Sequence, residues 1–362
     1  MHTMIFRGMK CRRVGNSGLW VSEVGLGLWK WGDPSYDGSR VGGHEGFRML
    51  DRALELGVIH WDTACSYNNG SGNSERLLGR YFALRGSRVR DTVVLATKVS
   101  NPVRDEHEME REFTPNERGS NRKYLLTAVD DCLRRLRTDR IDILYLHQPS
   151  LMPDGSWETP LDETWAAMDD IVTAGKALYL AVSNVTSSQL DENSAALASV
   201  AKNPSRRIIA VQNWYNLAER RKVATEGEDR LAGDEQAFLR HVKERECGLV
   251  PFFPLASGLL TGRYRRGAIE KASGRIIDDG DMWRKMFLTE RNLALVENLL
   301  AIAERKGCTL ARLSIAWLLS HDAVPSVIAG ATRMEQLEEN VGAPAVELSG
   351  EDIGEIDRVS GD

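Results

Sequence analysis

The stretch RKYLLTAVDDCLRRLRTDRIDILYLHQ, residues 122–148, contains two patterns in succession. Its first part, RKYLLTAVDDCLRRLR, is amphipathic with the spacing of a helix that has one apolar face. Its second part, IDILYLHQ, is short and apolar on nearly every side, which is typical of a strand covered on both faces. The stretch therefore predicts a helix followed by a buried strand, as in an α/β fold.

The same alternation extends over most of the chain. Amphipathic segments separate eight short strand-like runs, which are VGLGLW (24–29), VIHWDTA (58–64), TVVLATKV (92–99), IDILYLHQ (141–148), ALYLAVSN (177–184), RIIAVQNW (207–214), GLVPFFPL (248–255) and PSVIAGA (325–331). Eight strand–helix units favour a closed (β/α)₈ TIM barrel over an open, doubly wound sheet. We expect one domain spanning 1–362.

The two ends of the chain and two polar stretches lie outside the strand–helix units. Residues 1–23 fit an N-terminal hairpin with its turn at Asn16–Gly18, and 341–362 a C-terminal tail with one short helix. The polar stretches 101–120 and 262–288 are interpreted as loops.

Composition narrows the function classes. The chain has 362 residues, a net charge of −5 and a pI of about 5.9, and the absence of a basic run argues against a nucleic-acid partner. The longest apolar stretch, LVPFFPLASGLL, is too short to span a membrane. Five cysteines without a C-x-x-C motif, and an N-terminus without signal-peptide features, indicate reduced thiols in the cytoplasm. No cluster has metal-ligand spacing, so no metal is expected.

Titratable residues occur at or just after the ends of neighbouring predicted strands. Asp62 and Lys98 lie near the ends of the second and third strands, Tyr67 follows in the second loop, and His147 ends the fourth strand. Reactive groups of a barrel gather at this edge. Each group alone has a structural explanation, such as a salt bridge for Lys98 or a loop histidine for His147. Together they favour a functional site.

The four groups also form a sensible chemical set. A phenol has a pKa near ~10, which an adjacent ammonium lowers. A carboxylate holds the ammonium, and a histidine orients a carbonyl oxygen by a hydrogen bond. The set predicts a general acid for carbonyl reduction that requires a hydride donor.

The glycine-rich loop after Tyr67 is either a phosphate cradle or a turn. The loop NNGSGN (68–73) lacks G-K-[ST], and no G-x-G-x-x-G follows the first strand, because Lys30 takes the place of the third glycine. We therefore predict a flexible turn, with Asn73 or Ser74 capping the next helix. Cys65 is interpreted as a packing residue.

The order of the motifs DTACSY, ATK, LYLHQP, VSN, VQNWYN and PLASGLLTGRY, with the final GATRMEQLEEN, resembles the aldo-keto reductase family over almost the whole chain. The chain is most similar to a long-chain bacterial branch that also resembles potassium-channel β subunits. The resemblance implies that Tyr67 donates a proton, with Asp62, Lys98 and His147 completing a tetrad. It implies a small carbonyl substrate and NADPH, which is favoured over NADH. A sugar-like substrate is suggested by Trp29, Trp31 and Trp214, which lie at or just after strand ends.

The resemblance also implies a cofactor site along the barrel mouth. Its residues are Gly27, Trp29, Asp62, Ser183, Asn184, Gln212, Phe252, Leu255, Ser257, Gly258, Leu259, Arg263, Gly330, Thr332, Arg333, Gln336, Glu339 and Asn340. Within this set Ser183, Asn184 and Gln212 correspond to groups that hold the nicotinamide carboxamide, and Phe252 to the ring that stacks on the nicotinamide. Arg333 suits the 2′-phosphate of NADPH. Strand-end capping, core packing and simple solvation remain alternatives for these residues.

Two positions depart from the family pattern. The family's Gly-Thr-Trp is Gly27-Leu28-Trp29 here, and a usual serine is Phe253. Each change removes a hydroxyl near the cofactor.

Two further function classes remain open, namely a nucleotide-sensing regulatory subunit and a structural module. Substrate choice is expected to depend on loops 30–45, 101–120 and 216–233, which contain no motif that we can decode, and on the tail. The sequence does not predict an oligomeric state.

Overall fold

The computed structural model describes residues 3–35, 37–104, 112–220, 223, 234–267, 269 and 272–361. Parts of the loops 30–45, 101–120, 216–233 and 262–288 therefore lie outside the described residues. The strands are β1 Thr3–Phe6, β2 Met9–Arg13, β3 Trp20–Ser22, β4 Val24–Gly27, β5 His60–Asp62, β6 Val94–Val99, β7 Ile141–Leu146, β8 Ala177–Ser183, β9 Ile208–Gln212, β10 Gly248–Leu249 and β11 Val327–Gly330.

The strands β4 to β11 form one parallel sheet of eight strands in the order β10-β9-β8-β7-β6-β5-β4-β11. The Ile328 amide in β11 donates to the Pro251 carbonyl just after β10 at 2.9 Å, so the two ends of the sheet meet. Each strand coincides with one of the predicted runs. The predicted (β/α)₈ barrel is confirmed.

Helices surround this barrel. They are α1 Gly43–Glu55, α2 Tyr67–Gly70, α3 Asn73–Arg85, α4 Ser87–Thr92, α5 Arg122–Leu136, α6 Leu161–Thr173, α7 Ser187–Val200, α8 Glu235–Glu244, α9 Arg275–Asp278, α10 Asp281–Phe287, α11 Glu290–Arg305, α12 Leu310–Leu319, α13 Met334–Val341 and α14 Gly350–Ser360. Short 3₁₀ turns occur at Pro115–Glu117, Ala256–Thr261 and Ala343–Ala345. The parts of the chain described here include no helix of the length and apolarity needed to cross a membrane.

Apolar side chains form an outer and an inner layer. The outer layer lies between strands and helices and includes Leu77, Leu125 and Trp165, all fully buried. The inner layer fills the barrel and includes Val94, Ile143, Ile209, Val250 and Ile328, together with Val14 and Val21 from the N-terminal segment. That segment therefore closes the floor of the barrel.

The N-terminal segment is larger than the predicted hairpin. The strands β1, β2 and β3 form a three-stranded antiparallel sheet. The predicted turn at Asn16–Gly18 lies between β2 and β3, and a second turn at Arg7 and Gly8, with φ values of 50° and 83°, joins β1 to β2. A positive φ is readily adopted by glycine, so Gly8 suits this turn.

Two local predictions are wrong. The segment 262–288, expected to be a loop, contains α9 and α10. Helix α3 is preceded by Gly72 at φ 68° without a side-chain cap. Ser74, expected as a cap, instead donates from Oγ to the Leu28 carbonyl at 2.9 Å and so ties α3 to the end of β4.

Candidate active site

The ends of three adjacent strands and one loop bring the four predicted residues together. Asp62 is the last residue of β5 and pairs in register with Gly27 on one side and Ala96 on the other. Lys98 lies near the end of β6, His147 follows β7, and Tyr67 begins α2. This is the edge of the barrel, at the carboxyl ends of the strands, where the sequence predicts them.

The Lys98 ammonium is the centre of the group. Its Nζ donates to Asp62 Oδ1 at 2.6 Å, to the Tyr67 hydroxyl at 2.8 Å and to the Thr63 carbonyl at 2.9 Å. The Lys98 and Asp62 side chains are each 1% exposed. An ammonium has three protons, so all its donors are used. Burial lowers the pKa of Lys98, and the Asp62 carboxylate opposes that effect.

Tyr67 is a neutral phenol in this setting. Burial raises the pKa of its half-buried hydroxyl well above the usual value, and the Asp62 carboxylate raises it further. The hydroxyl donates to Asp62 Oδ1 at 3.1 Å. The lowered phenol pKa expected from the sequence is therefore wrong, because that argument left out desolvation and the nearby carboxylate. A neutral phenol holds the proton that a general acid must give.

His147 is held as a neutral imidazole. Burial and then the Lys98 charge lower its pKa to about 3. Asn101 Nδ2 donates to His147 Nδ1 at 3.2 Å, and Ser66 Oγ lies 3.4 Å from the same nitrogen. When Nδ1 accepts, the imidazole proton is on Nε2, which becomes a donor. The His147 and Tyr67 ring centroids are 6.1 Å apart.

Ser66 and Asn101 were not among the predicted site residues. Neither residue has a charge. Ser66 lies within the motif DTACSY but was given no role, and the loop after β6 was interpreted only as polar. Only the fold shows that they contact His147.

The three residues expected to hold a carboxamide also border this group. Gln212 Nε2 donates to Asp62 Oδ2 at 2.9 Å, and Asn184 Nδ2 donates to the His147 carbonyl at 2.9 Å. Ser183 Oγ donates to the Gln212 carbonyl at 2.6 Å. These bonds fix the ends of β7, β8 and β9 against one another.

Aromatic side chains line the mouth beside Tyr67. The Trp29 ring lies 6.5 Å from that of Tyr67 and 5.3 Å from that of Phe253. Phe252 lies 6.2 Å from Trp214 between ring centroids. The departure from the family pattern at Phe253 therefore supplies an aromatic wall in place of a hydroxyl.

A half-buried arginine that was not among the predicted site residues lies over this wall. The Arg275 guanidinium is 3.9 Å from the Trp29 centroid, 4.4 Å from that of Trp283 and 4.9 Å from that of Phe253. Burial lowers the pKa of Arg275 to about 10, and Asp279 opposes that effect. The sequence did not indicate Arg275 as a site residue because the segment 262–288 was predicted to be a loop.

The turn Ala256–Thr261 contains most of the predicted pyrophosphate residues. Ser257 and Gly258 have φ values of 57° and 98°, and Leu255 precedes them. Among the described residues the buried Ser257 Oγ has no hydrogen-bond partner. Leu259 is fully buried in the core, and Arg263 Nη1 donates to the Ser273 carbonyl at 3.5 Å. An unpartnered buried hydroxyl beside a left-handed turn fits a phosphate-bearing ligand.

The last strand ends beside the tetrad. Gly330 pairs in register with Gly27, which pairs with Asp62. Arg333 immediately precedes α13, and its side chain is 57% exposed. A helix N-terminus with an adjacent exposed guanidinium fits an anion.

Three other predicted residues are engaged within the protein. Gln336 Oε1 accepts from the Thr332 amide at 2.8 Å, Glu339 pairs with Arg312 at 3.0 Å, and Asn340 Nδ2 donates to the Gly330 carbonyl at 3.3 Å. Within the described ranges, no three His, Cys, Asp or Glu side chains group as a metal site would require.

Comparison with known proteins gives consistent matches. The model of the aldo/keto reductase family matches residues 23–360. L-glyceraldehyde 3-phosphate reductase of Escherichia coli O157:H7 is 32% identical over 97% of this chain and 92% of its own length. The enzyme of the same name from Escherichia coli K12 is 30% identical over the same shares. An Arabidopsis thaliana protein named "Probable voltage-gated potassium channel subunit beta" is 33% identical over 92% of this chain and 91% of its own length.

Proposed function

The chain belongs to the aldo/keto reductase family, and from this premise we propose that it catalyses the NADPH-dependent reduction of an aldehyde or ketone to an alcohol, and the reverse reaction. The observation that carries the proposal is the contact of the Lys98 ammonium with both the Tyr67 hydroxyl and the Asp62 carboxylate. A neutral phenol beside a fixed cation suits proton donation to a carbonyl oxygen.

The four residues have separate roles in this proposal. His147 donates a hydrogen bond from Nε2 to the carbonyl oxygen and orients it. NADPH, when bound along the barrel mouth, would supply the hydride that the carbonyl carbon needs. Tyr67 transfers its hydroxyl proton to the oxygen, and Lys98 stabilises the resulting phenolate at 2.8 Å. Asp62 holds the ammonium in place and keeps it charged.

The cofactor would lie along the barrel mouth. Ser183, Asn184 and Gln212 would hold the carboxamide, with Phe252 beside the nicotinamide ring. Ser257, Gly258 and Arg263 would meet the pyrophosphate, and Arg333 the 2′-phosphate. The unpartnered Ser257 hydroxyl and the exposed Arg333 guanidinium support this arrangement.

The substrate is proposed to be a small carbonyl or sugar-like compound. The name of the Escherichia coli relatives makes L-glyceraldehyde 3-phosphate the first compound to assay. The five free cysteines support a cytoplasmic location.

Replacing Tyr67 by Phe tests the proton donor. Loss of one hydroxyl should slow the reduction of an aldehyde panel by about 10²–10⁴-fold while NADPH still binds, since general acid catalysis contributes that much. The measurement is NADPH oxidation. The control is Tyr179→Phe, which removes a tyrosine hydroxyl from a different element, β8. Unchanged turnover in Tyr67→Phe would refute the assignment.

Cofactor choice provides a second test. Arg333→Ala should weaken NADPH binding by about ten- to a hundredfold and leave NADH nearly unaffected, because charge-assisted bonds to the 2′-phosphate are lost. The measurement is a pair of dissociation constants, with the exposed Arg358→Ala as the control. An equal loss of affinity for NADPH and NADH would mean that Arg333 contacts a part of the molecule that both cofactors share.

The alternative function is a nicotinamide-nucleotide-binding regulatory subunit. The similarity to the plant protein named as a channel subunit favours this candidate. Tight NADPH binding without turnover of any carbonyl in the panel would support it against the enzyme.

A further inference from the structure

A basic groove lies on the outer wall of the barrel, between α3 and α5. We define the basic groove by its six cationic residues, Arg76, Arg80, Lys123, Arg134, Arg135 and Arg137. Its cavity volume is about 790 Å³, and the carboxylates among its described lining residues are Glu117 and Asp131. The whole chain has a net charge of −5, whereas this described lining is positive.

The cations are not all neutralised by the protein. Arg135 pairs with Glu75 at 2.7 Å, and Arg134 pairs with Asp131 at 2.6 Å. Arg80, Lys123 and Arg137 have no hydrogen bond or ion pair from their side chains within the described part of the chain. Hydrogen bonds from Ser35 and, to a smaller extent, attraction by Arg80 lower the pKa of the Asp33 carboxyl. An anion that binds in the groove therefore gains mainly from Lys123, Arg137 and Arg80, which have no close ion pair among the described residues.

The groove is elongated. Lys123 lies in the first turn of α5, and Arg137 ends that helix, whose 15 residues span about 22 Å. Arg80 stands on the opposite wall, on α3. Cations on both walls and along this length match several linked anionic groups better than a single phosphate.

The groove is separate from the candidate active site. It lies outside the ring of strands, whereas Tyr67 and Lys98 meet at the mouth of the barrel. One wall is nevertheless close to the site, because the Tyr124 hydroxyl donates to the Asn101 carbonyl at 2.6 Å and the Asn101 side chain contacts His147.

We propose that the basic groove is a second ligand site, which binds a small molecule bearing two or more linked phosphates. Its attraction is electrostatic and comes from both helices. The site does not depend on catalysis at Tyr67.

The test uses inorganic triphosphate as the probe and the full chain at low ionic strength. Calorimetry should show binding to the wild type, with affinity that falls as salt rises. The variant Arg80→Glu/Lys123→Glu should weaken binding by about tenfold or more, because each change replaces an attraction by a repulsion. Both positions are exposed on helices, where Glu is well tolerated.

The matched control is Lys10→Glu/Arg240→Glu, which makes the same change of charge at exposed positions outside the groove. It should bind triphosphate nearly as the wild type does. Equal weakening in the control would show only a response to net charge and would overturn the proposal.

Binding of NADPH to the groove variant distinguishes the groove from the barrel mouth. Arg80→Glu/Lys123→Glu should bind NADPH at the mouth as tightly as the wild type does, and an equal loss of NADPH and triphosphate binding would assign triphosphate to the mouth and overturn the proposal. Should the groove variant fail to fold, hydrogen exchange on the wild type decides. Triphosphate should slow hydrogen exchange in α3 and α5. Slower exchange in the turn Ala256–Thr261 and in α13 instead would contradict the proposal. Absence of binding to the wild type would also overturn it.

Discussion

The ring of His60 is fully buried inside the barrel, two residues before Asp62 on β5. Its Nδ1 lies 2.9 Å from Ser326 Oγ, and Nε2 has no partner in the described part of the chain. Burial lowers the pKa of His60 to about 4. The imidazole ring of His60 is therefore neutral in the native state.

This burial predicts a pH dependence of stability. His60 protonates near pH ~6.5 in the unfolded chain and only near about 4 in the folded one, so the unfolded state binds more protons in that window. The contribution of His60 to stability should be fully present above pH ~6.5. The free energy of unfolding should then decrease by about 3 kcal/mol as the pH falls from ~6.5 to about 4. Chemical denaturation from pH 7 to pH 4 measures the decline.

His60→Gln should flatten this pH dependence, whereas His44→Gln, at an exposed position, should leave it unchanged. An unaltered slope in His60→Gln would assign the acid sensitivity to other groups. The half-buried His321, whose pKa is lowered by burial to about 4, would then be the next candidate.

At the level of elements, α9 and α10 form a strap across the mouth, and the side chain of Arg275 connects it to the aromatic wall. Arg275 lies among Trp29, Phe253 and Trp283, and Asp279 is shared by Arg275 at 3.3 Å, Arg40 at 2.7 Å and Lys30 at 3.8 Å. A desolvated cation–π contact contributes about 2 kcal/mol. Arg275 is thus one of the anchors of the strap, together with the fully buried Ile276 and Phe287.

Arg275→Ala should loosen the strap without unfolding the barrel. Opening of the strap should become about thirtyfold more frequent, which corresponds to the loss of about 2 kcal/mol. Hydrogen exchange of α9 and α10 measures this, since local opening does not require global unfolding. Lys285→Ala, on the exposed side of α10, is the control, and equal exchange in both variants would rule out Arg275 as an anchor.

Elements with a strong repeating pattern could be predicted, and short ones could not. The eight barrel strands were found because each is an apolar run beside an amphipathic segment. Helices α9 and α10 have four and seven residues, too few for a 3.6-residue period to appear. Strand β1 leaves Met4 and Ile5 57% and 73% exposed, so no buried pattern identifies it.

The same limit applies to the site. Asp62, Lys98, Tyr67 and His147 could be predicted because charged or titratable groups stand out at the ends of apolar runs. Ser66 and Asn101, and the Arg275 cluster, depend on contacts between distant segments. The pKa of Tyr67 depends on burial, which a linear sequence does not specify.

At the scale of the whole molecule, the floor and the mouth of the barrel are separate regions. Val14 and Val21 pack into the inner layer with Val94, at the start of β6, while Lys98 lies near its other end. In barrels of this kind the end with the carboxyl termini of the strands performs chemistry, and the other end contributes stability. The N-terminal sheet should therefore affect folding and leave the proposed chemistry unaffected.

The double variant Val14→Ala/Val21→Ala tests this separation. Each change removes about two buried methylene equivalents, so the free energy of unfolding should fall by about 3 kcal/mol or more, including the cavity left behind. Ile5→Ala in the same sheet, at a side chain 73% exposed, should change it by less than about 0.5 kcal/mol. Carbonyl reduction measured well below the melting temperature should match the wild type, because the Tyr67–Lys98–Asp62 contacts lie at the opposite end. A stable double variant with lost turnover would mean that packing at the floor fixes the geometry of the mouth, and the two regions would then have to be treated as one.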